Sequence, residues 1–120
     1  MALGDQITGL FGNHQGFVEQ VKVAAEQVDE SVWQLPLDKR YRKQLDSVVA
    51  DLENMGDPAP GAITAALYLA EFVGDIPWAH LDICGPMKVD ADDSWRSKGA
   101  TGVGARLLAE LAANFTPPKR

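Results

Sequence analysis

The stretch AITAALYLAEFV, at positions 62–73, most constrains how this chain can fold. It is apolar almost all round, so it predicts a helix that is buried on more than one side. Pro60 suits the first turn of such a helix, and Gly74 suits the left-handed position that ends many helices. Glu71 interrupts the run, which is shorter than the ~18–20 apolar residues that a membrane helix needs. The helix therefore requires apolar partners within a folded protein.

Two elements are predicted before this helix. Residues 7–13, ITGLFGN, are apolar and contain turn-forming glycines, which predicts a short buried strand. Asn13 is a residue type that caps helices, and an amphipathic helix of about four turns is predicted to follow it. The apolar face of that helix consists of Phe17, Val18, Val21, Ala25 and Val28. A face of this kind predicts that the helix lies against an apolar surface.

Further strands and a last helix complete the pattern. Residues 32–37, VWQLPL, are predicted to be extended, because Pro36 disfavours a helix at the residue before it. Residues 78–84, WAHLDIC, predict a strand, residues 85–102 a long polar loop, and a helix is predicted from about Thr101. This alternation indicates α/β layers over a largely parallel sheet. Because the sheet is small for so apolar a helix, we expect a missing portion of the fold.

Three potential zinc ligands, His80, Asp82 and Cys84, lie on one face of the predicted strand, because side chains alternate along a strand. Strand residues rise ~3.3 Å each, so His80 and Cys84 are about 13 Å apart along the chain. That distance is too long for one zinc ion with ligand bonds of about 2.0–2.3 Å, or for a Cys–His dyad. His80 and Asp82 could still share a metal, but the only other histidine is His14. The favoured interpretation is a packed strand with satisfied polar side chains.

Glycines at positions 99, 102 and 104 precede the last helix, as glycines do in phosphate-binding loops. Their spacing matches neither common nucleotide-binding pattern, and a polar loop precedes them instead of a strand. Gly102 and Gly104 are therefore predicted to permit close packing of the helix on a neighbour.

The acids Asp90, Asp92 and Asp93 suggest calcium only weakly, because they lack the ligand spacing of the known calcium-binding loop. A solvated acidic loop is the favoured interpretation. From composition, spacing and periodicity alone, we identify no catalytic constellation.

The formal net charge is −6. Nucleic acids and anionic membranes reward clustered Lys and Arg, so neither is expected as a partner. The single cysteine, Cys84, allows no internal disulfide, and the N-terminus lacks the regions of a signal peptide. We therefore expect a soluble, cytoplasmic protein. The one small basic cluster, predicted to be a solvated face, consists of Lys39, Arg40, Arg42 and Lys43.

Several segments, in unbroken order, resemble the leucyl aminopeptidases, also called cytosol aminopeptidases. The resemblance runs from about Ala2 to Phe115. Its most specific parts are QLPL (34–37), PGAITAA (60–66), PWAHLDI (77–83) and KGATG (98–102). Several motifs in order are more specific than any one of them.

The resemblance implies an α/β fold: a three-layer α/β/α segment, part of the mixed sheet of a zinc-exopeptidase-like catalytic domain. Members of the family are two-domain, two-metal exopeptidases that remove N-terminal residues, typically leucine, from peptides. Two ions, usually zinc or manganese, activate a water for attack on the peptide carbonyl. The family assembles as homohexamers, which implies self-association for the complete protein.

The metal-binding signature of the family, N-T-D-A-E-G-R, does not occur in this chain. In the family it lies upstream of an ALGD segment like residues 2–5. The resemblance therefore implies that residues 1–120 correspond to the C-terminal part of the catalytic domain, with the N-terminal domain and the metal-ligand segment absent. We expect this chain to bind no metal and to contain no catalytic residue.

Four residues of the chain correspond to substrate-binding positions of the family. Cys84 and Met87 match the residues that line the pocket for the side chain of the substrate's first residue. The family usually has alanine at the first position, so Cys84 adds a sulfur to the wall. Met87 is an adaptable apolar side chain suited to leucine. Asn54 and Gly56 match an N-x-G motif near the rim of the active site.

Three functions remain open at this point. The chain is part of a metal-dependent aminopeptidase, or it is a truncated, non-catalytic scaffold or interaction module, or it is a free-standing module that binds a small ligand. Whether the chain alone is an enzyme is left open, although inactivity is expected. An exposed apolar sheet edge and self-association are also predicted.

Overall fold

The computed structural model describes residues 2–46 and 61–119. Strands and helices alternate along most of this length, as the sequence predicts. The elements are β1 (Thr8–Gly12), α1 (Gln15–Gln27), β2 (Val32–Gln34), a 3₁₀ helix (Lys39–Leu45), α2 (Gly61–Ala70), β3 (Ala79–Asp82), β4 (Lys88–Val89), β5 (Gly99–Ala100) and α3 (Ala105–Ala113).

The main sheet has three strands in the order β2-β1-β3. β1 and β2 are parallel and joined through α1, the crossover that a parallel pair requires. β3 runs antiparallel to β1, with Leu10 opposite Leu81. The expected mixed sheet is thus confirmed, and the expectation of a largely parallel sheet is wrong at β3.

The core lies between one face of this sheet and two helices. Leu10 and Phe11 of β1 are both fully buried, although they point to opposite faces. The Leu10 side contacts α1 and α3, which pack on each other. The buried cluster there consists of Leu10, Val18, Val21, Ala24, Ala25 and Leu107. The predicted apolar face of α1 is therefore confirmed, with Ala24 added to it.

The N-terminus of α1 is capped by His14, not by Asn13 as predicted. The Nδ1 atom of His14 accepts a hydrogen bond from the Phe17 amide at 3.2 Å. Asn13 is already engaged with the chain before β3. Its Nδ2 donates to the Ile76 carbonyl at 2.9 Å, and its Oδ1 accepts from the Trp78 amide at 2.8 Å. Asn13 therefore joins the end of β1 to the start of β3.

Gly104 is the N-cap residue of α3 and has a φ of 94°. A Cβ at Gly102 or Gly104 would meet no neighbouring atom, so the predicted close packing at these glycines is wrong. They are needed for their backbone conformation instead. The Gly104 amide donates to the Glu30 carboxylate at 3.1 Å. The side chain of Glu30 is only 8% exposed, and its negative charge complements the N-terminal end of the helix.

The apolar segment 62–73 is helical only as far as Ala70, three residues short of the predicted end, and α2 is covered less than predicted. Within the described part of the chain, α2 packs mainly on the 3₁₀ helix, and Arg42 of that helix pairs with Glu71. The buried residues of α2 are Thr64, Ala66 and Leu67. Phe72, just beyond the helix, is 69% exposed. Gly74 has a positive φ of 57°, but it lies within the turn that follows α2, so the prediction that it directly ends the helix is wrong.

The segment 85–102, predicted to be one long polar loop, contains an antiparallel hairpin of β4 and β5. Its tip is held by its own side chains. Asp92 accepts a hydrogen bond from the Lys98 amide at 2.9 Å, and Asp93 pairs with Arg96 through backbone and side chain. Local polar pairing thus orders a segment whose composition predicts a loop.

No helix among residues 2–46 and 61–119 has both the length and the apolar character needed to cross a membrane.

Replacement of Leu107 by alanine tests the contact of α3 with the core. Leu107 is 1% exposed, whereas its neighbour Leu108 is 55% exposed. We expect Leu107→Ala to lower the free energy of unfolding by about 2–5 kcal/mol, because it leaves a cavity in the core. Leu108→Ala should change it by less than about 0.5 kcal/mol. Urea unfolding followed by circular dichroism measures both, and equal losses would contradict the assigned core.

Candidate functional site

The two faces of β3 have different surroundings, as strand alternation predicts. Ala79 and Leu81 pack against the helical core. On the other face, the ring of His80 lies 5.9 Å from the ring of Phe11 and is stacked with Trp78 at 6.1 Å, between ring centroids. Burial among these rings lowers the pKa of His80, although the charge of Asp82 opposes the effect. His80 is therefore held as a neutral packing residue.

The residues described do not bring together a set of metal ligands. Within ranges 2–46 and 61–119, no three His, Cys, Asp or Glu side chains are grouped so that they could hold a metal ion. The described residues therefore do not fit the two-metal centre that the family resemblance implies. No step of metal chemistry is assigned to them.

A tight turn follows β3 and contains both described candidate pocket residues. The Asp82 carboxylate accepts a hydrogen bond from the Cys84 amide at 3.0 Å. The Met87 amide donates to the Ile83 carbonyl at 3.0 Å, which closes the turn. Pro86 is buried inside it, whereas Cys84 is exposed and Met87 is 45% exposed. We refer to residues 84–87 as the wall segment.

Gly85, within the wall segment, lies directly against the chain that leads into β1. A Cβ at this position would overlap the carbonyl oxygen of Gly4 and crowd the Cα of Asp5. Only glycine therefore permits this approach. On this side, the wall segment therefore lies directly against the backbone of Gly4 and Asp5.

Thr101, from the KGATG motif, holds the opposite side of the wall segment. Its hydroxyl donates to the Pro86 carbonyl at 2.6 Å, and its amide donates to the Met87 carbonyl at 3.0 Å. Sequence reasoning considered only the glycines of this motif and missed the threonine. The signal in the sequence was a hydroxyl residue placed between two glycines, Gly99 and Gly102; in the structure both glycines have positive φ.

The thiol of Cys84 has an acidic neighbour. Hydrogen bonding to the Asp82 carboxylate, together with the negative charge of that group, raises the pKa of Cys84. A raised pKa leaves less thiolate at neutral pH, and the thiolate is the reactive form. Cys84 is thus suited to a contact surface more than to a nucleophilic role.

The structure places two of the four predicted site residues in one turn. Cys84 and Met87 both lie in the wall segment. The other two, Asn54 and Gly56, lie outside the described residues.

A family model described as "Cytosol aminopeptidase family, catalytic domain" matches residues 1–109. This chain belongs to the cytosol aminopeptidase family. The match includes the wall segment and the Thr101 contact that supports it. The resemblance seen in the sequence motifs is thereby confirmed at the level of the family.

Curated relatives carry the same family name. The chain is 44% identical over 115 residues to a probable cytosol aminopeptidase of Rippkaea orientalis, an alignment that covers 96% of this chain and 23% of the relative. It is 43% identical over 110 residues to one of Synechocystis, with 92% of this chain and 22% of the relative covered. The chain therefore spans less than a quarter of the length of these relatives.

Solved structures agree with the described fold. A bottromycin maturation enzyme, BotP, in complex with Mn is 38% identical, with a TM-score of 0.86. A mutant of tomato leucine aminopeptidase is also 38% identical, with a TM-score of 0.80. Each comparison covers 92% of this chain, and 25% and 21% of the respective neighbour. Both solved structures thus share the mixed α/β fold of the chain over the matched segment.

Asp82→Asn tests the effect of the carboxylate on the thiol. Asparagine keeps the oxygen that accepts the Cys84 amide but removes the charge. We expect the pKa of Cys84 to fall toward the ordinary range, so alkylation at pH 7–8 should become faster because more thiolate is present. The pH dependence of iodoacetamide labelling measures this change.

Asp90→Asn is the matched control, because Asp90 is an exposed acid on the neighbouring hairpin. It should leave the labelling profile of Cys84 nearly unchanged. If labelling of Cys84 has the same pH midpoint in Asp82→Asn and in the unsubstituted chain, the carboxylate does not determine the pKa of the thiol.

Proposed function

We propose that this chain forms the C-terminal part of the catalytic domain of a metal-dependent aminopeptidase. The complete protein would release N-terminal amino acids, with leucine preferred, from peptides in the cytoplasm. The family match over residues 1–109 is the observation that carries the proposal. The curated relatives are named cytosol aminopeptidases, which supports both the reaction and the compartment.

Within this domain, the wall segment would contact the side chain of the substrate's first residue. Its two outward side chains, Cys84 and Met87, are exposed and carry sulfur, which is polarizable and adapts to an apolar group. The backbone that bears them is supported from several directions, by Asp82, Gly4 and Thr101. A supported surface with adaptable apolar side chains suits a leucine-sized group. Asn54 and Gly56 would contribute to the rim.

The metal ions of the proposed enzyme would be two divalent cations, zinc or manganese. The structural neighbour BotP, which is 38% identical to this chain, is found in complex with Mn. The proposal assigns the ligands to other parts of the complete protein, because the N-T-D-A-E-G-R signature of the family does not occur among residues 1–120. This chain alone should then be inactive.

Contacts with other subunits or segments would cover the exposed apolar side chains. Trp33 on the edge strand β2 is 66% exposed, and Phe72 and Ile76 are also exposed. Large apolar residues on an open sheet edge favour association. These surfaces support the proposal that the complete protein self-associates, with a homohexamer as the family precedent.

A chimaeric enzyme tests the proposed pocket wall. This chain replaces the matched segment of a full-length relative, and hydrolysis of leucine and phenylalanine anilides is measured with added manganese. We expect activity from the chimaera. Met87→Ala should shift the ratio of kcat/KM toward phenylalanine by about tenfold, because removal of several heavy atoms enlarges the pocket.

Val23→Ala is the control substitution, because Val23 is exposed on α1, away from the wall segment. It should leave the ratio unchanged. An unchanged ratio in Met87→Ala would contradict the role of the wall segment. Turnover above background by the 120-residue chain alone would contradict the assignment of all metal ligands elsewhere, whereas an inactive chimaera would favour a non-catalytic scaffold.

A further inference from the structure

We propose that Thr101 is a positioning residue for substrate selection: it fixes the position of the wall segment and thereby the depth of the side-chain pocket. The inference rests on the proposed function, since it takes residues 84–87 as the pocket wall. It gives the KGATG motif a role that does not involve a phosphate or nucleotide. Thr101 itself would not touch the substrate.

Thr101 makes three hydrogen bonds, and two of them reach the wall segment. Its hydroxyl donates to the Pro86 carbonyl at 2.6 Å, and its amide donates to the Met87 carbonyl at 3.0 Å. The same hydroxyl oxygen accepts from the Val103 amide at 3.2 Å. The hydroxyl is thus used as donor and acceptor at once. A single side chain couples the wall segment to the start of α3.

The position of Thr101 opposite Met87 follows from the hairpin register. Lys88 pairs with Ala100, so the next rung of the antiparallel ladder joins Met87 to Thr101. Gly102, with a φ of 69°, then turns the chain out of the ladder. This register places the Thr101 hydroxyl within hydrogen-bonding distance of the Pro86 carbonyl. Proline has no amide hydrogen, so its carbonyl is the one backbone group by which residue 86 can be held.

The support behind Thr101 is the core of the protein. The Val103 amide donates to the Thr101 hydroxyl, and the next amide, that of Gly104, donates to the Glu30 carboxylate. Leu107 follows in the first turn of α3 and is buried in the core. The wall segment is therefore connected to the core through a few consecutive residues. The tip of the hairpin hydrogen-bonds within itself, and its contact with α3 is the Trp95 ring, whose centroid lies 4.9 Å from the Arg106 guanidinium.

A wall held in this way selects substrates by its position as well as by its side chains. Pro86 is buried, so its carbonyl would lose its partner if the hydroxyl were removed. The turn would then move to satisfy that carbonyl. Because apolar pockets discriminate by single methylene groups, a small movement is enough to alter the preference for side-chain size.

Two substitutions separate the hydroxyl from the shape of the side chain. Thr101→Val keeps the shape and removes the hydroxyl, whereas Thr101→Ser keeps the hydroxyl. In the chimaera, we expect Thr101→Val to reduce kcat/KM for leucine amide relative to glycine amide by about tenfold, since glycine does not reach the wall. Thr101→Ser should restore most of the ratio. Ser97→Ala removes an exposed hydroxyl from the same hairpin and serves as the control.

A second readout does not depend on catalysis. In the 120-residue chain, amide hydrogen exchange at Cys84 and Met87 should become at least several-fold faster in Thr101→Val and remain slow in Thr101→Ser. Exchange within α1 should be unchanged, which shows that the fold is retained. Equal exchange in all three proteins would overturn the positioning role, whether or not the chimaera is active.

The two readouts distinguish the two proposals. If exchange changes as expected but Met87→Ala and Thr101→Val leave the substrate ratio unchanged, the wall segment is supported by Thr101 but is not a pocket wall, and the positioning role in selection is overturned. If the ratio responds to Met87→Ala and not to Thr101→Val, the proposed function stands and the role of Thr101 falls.

Discussion

Leu10 and Phe11 lie next to each other in β1 and are both fully buried, on opposite faces of the sheet. β1 also has a hydrogen-bonded strand on each side. A shift of this strand by one residue would put Gly9 in the place of Leu10, or Gly12 in the place of Phe11, and would leave one face of the sheet unfilled, so the register is strongly specified. The helices pack on the Leu10 face of this strand and β3 pairs along its edge, so both take their positions from β1, and the turn that follows β3 carries the candidate site.

Two parts of the chain, β3 and α3, connect the candidate site to this core. Along β3, the chain passes directly into the turn that carries Cys84 and Met87. Through α3, Leu107 in the core and Thr101 before the helix hold the same turn from the other side. Rigid elements with supporting hydrogen bonds can position a binding surface better than a free loop can. The contrast between the buried Pro86 and its exposed neighbours fits such a surface.

The sequence predicts those parts of the fold that local periodicity determines. The helix α1 and the two faces of β3 follow from apolar spacing. The contact of Glu30 with Gly104 does not, because it joins residues far apart in sequence. The hairpin at 85–102 was missed for a related reason, since its composition is polar and its order comes from paired side chains. The wall residues were found through family resemblance, because an exposed cysteine and methionine carry no periodic signal.

If the wall segment contacts the first side chain of the substrate, as we propose, a ligand with that side chain should shield Cys84. Protection of Cys84 from alkylation is the measurement: the chimaeric enzyme is alkylated in the presence of L-leucinol or of ethanolamine, which lacks the side chain, and the label on Cys84 is quantified by peptide mass spectrometry. We expect slower labelling with leucinol, in proportion to its inhibition of hydrolysis, and little protection by ethanolamine. Full inhibition by leucinol with no change in the labelling rate of Cys84 would contradict the proposed contact.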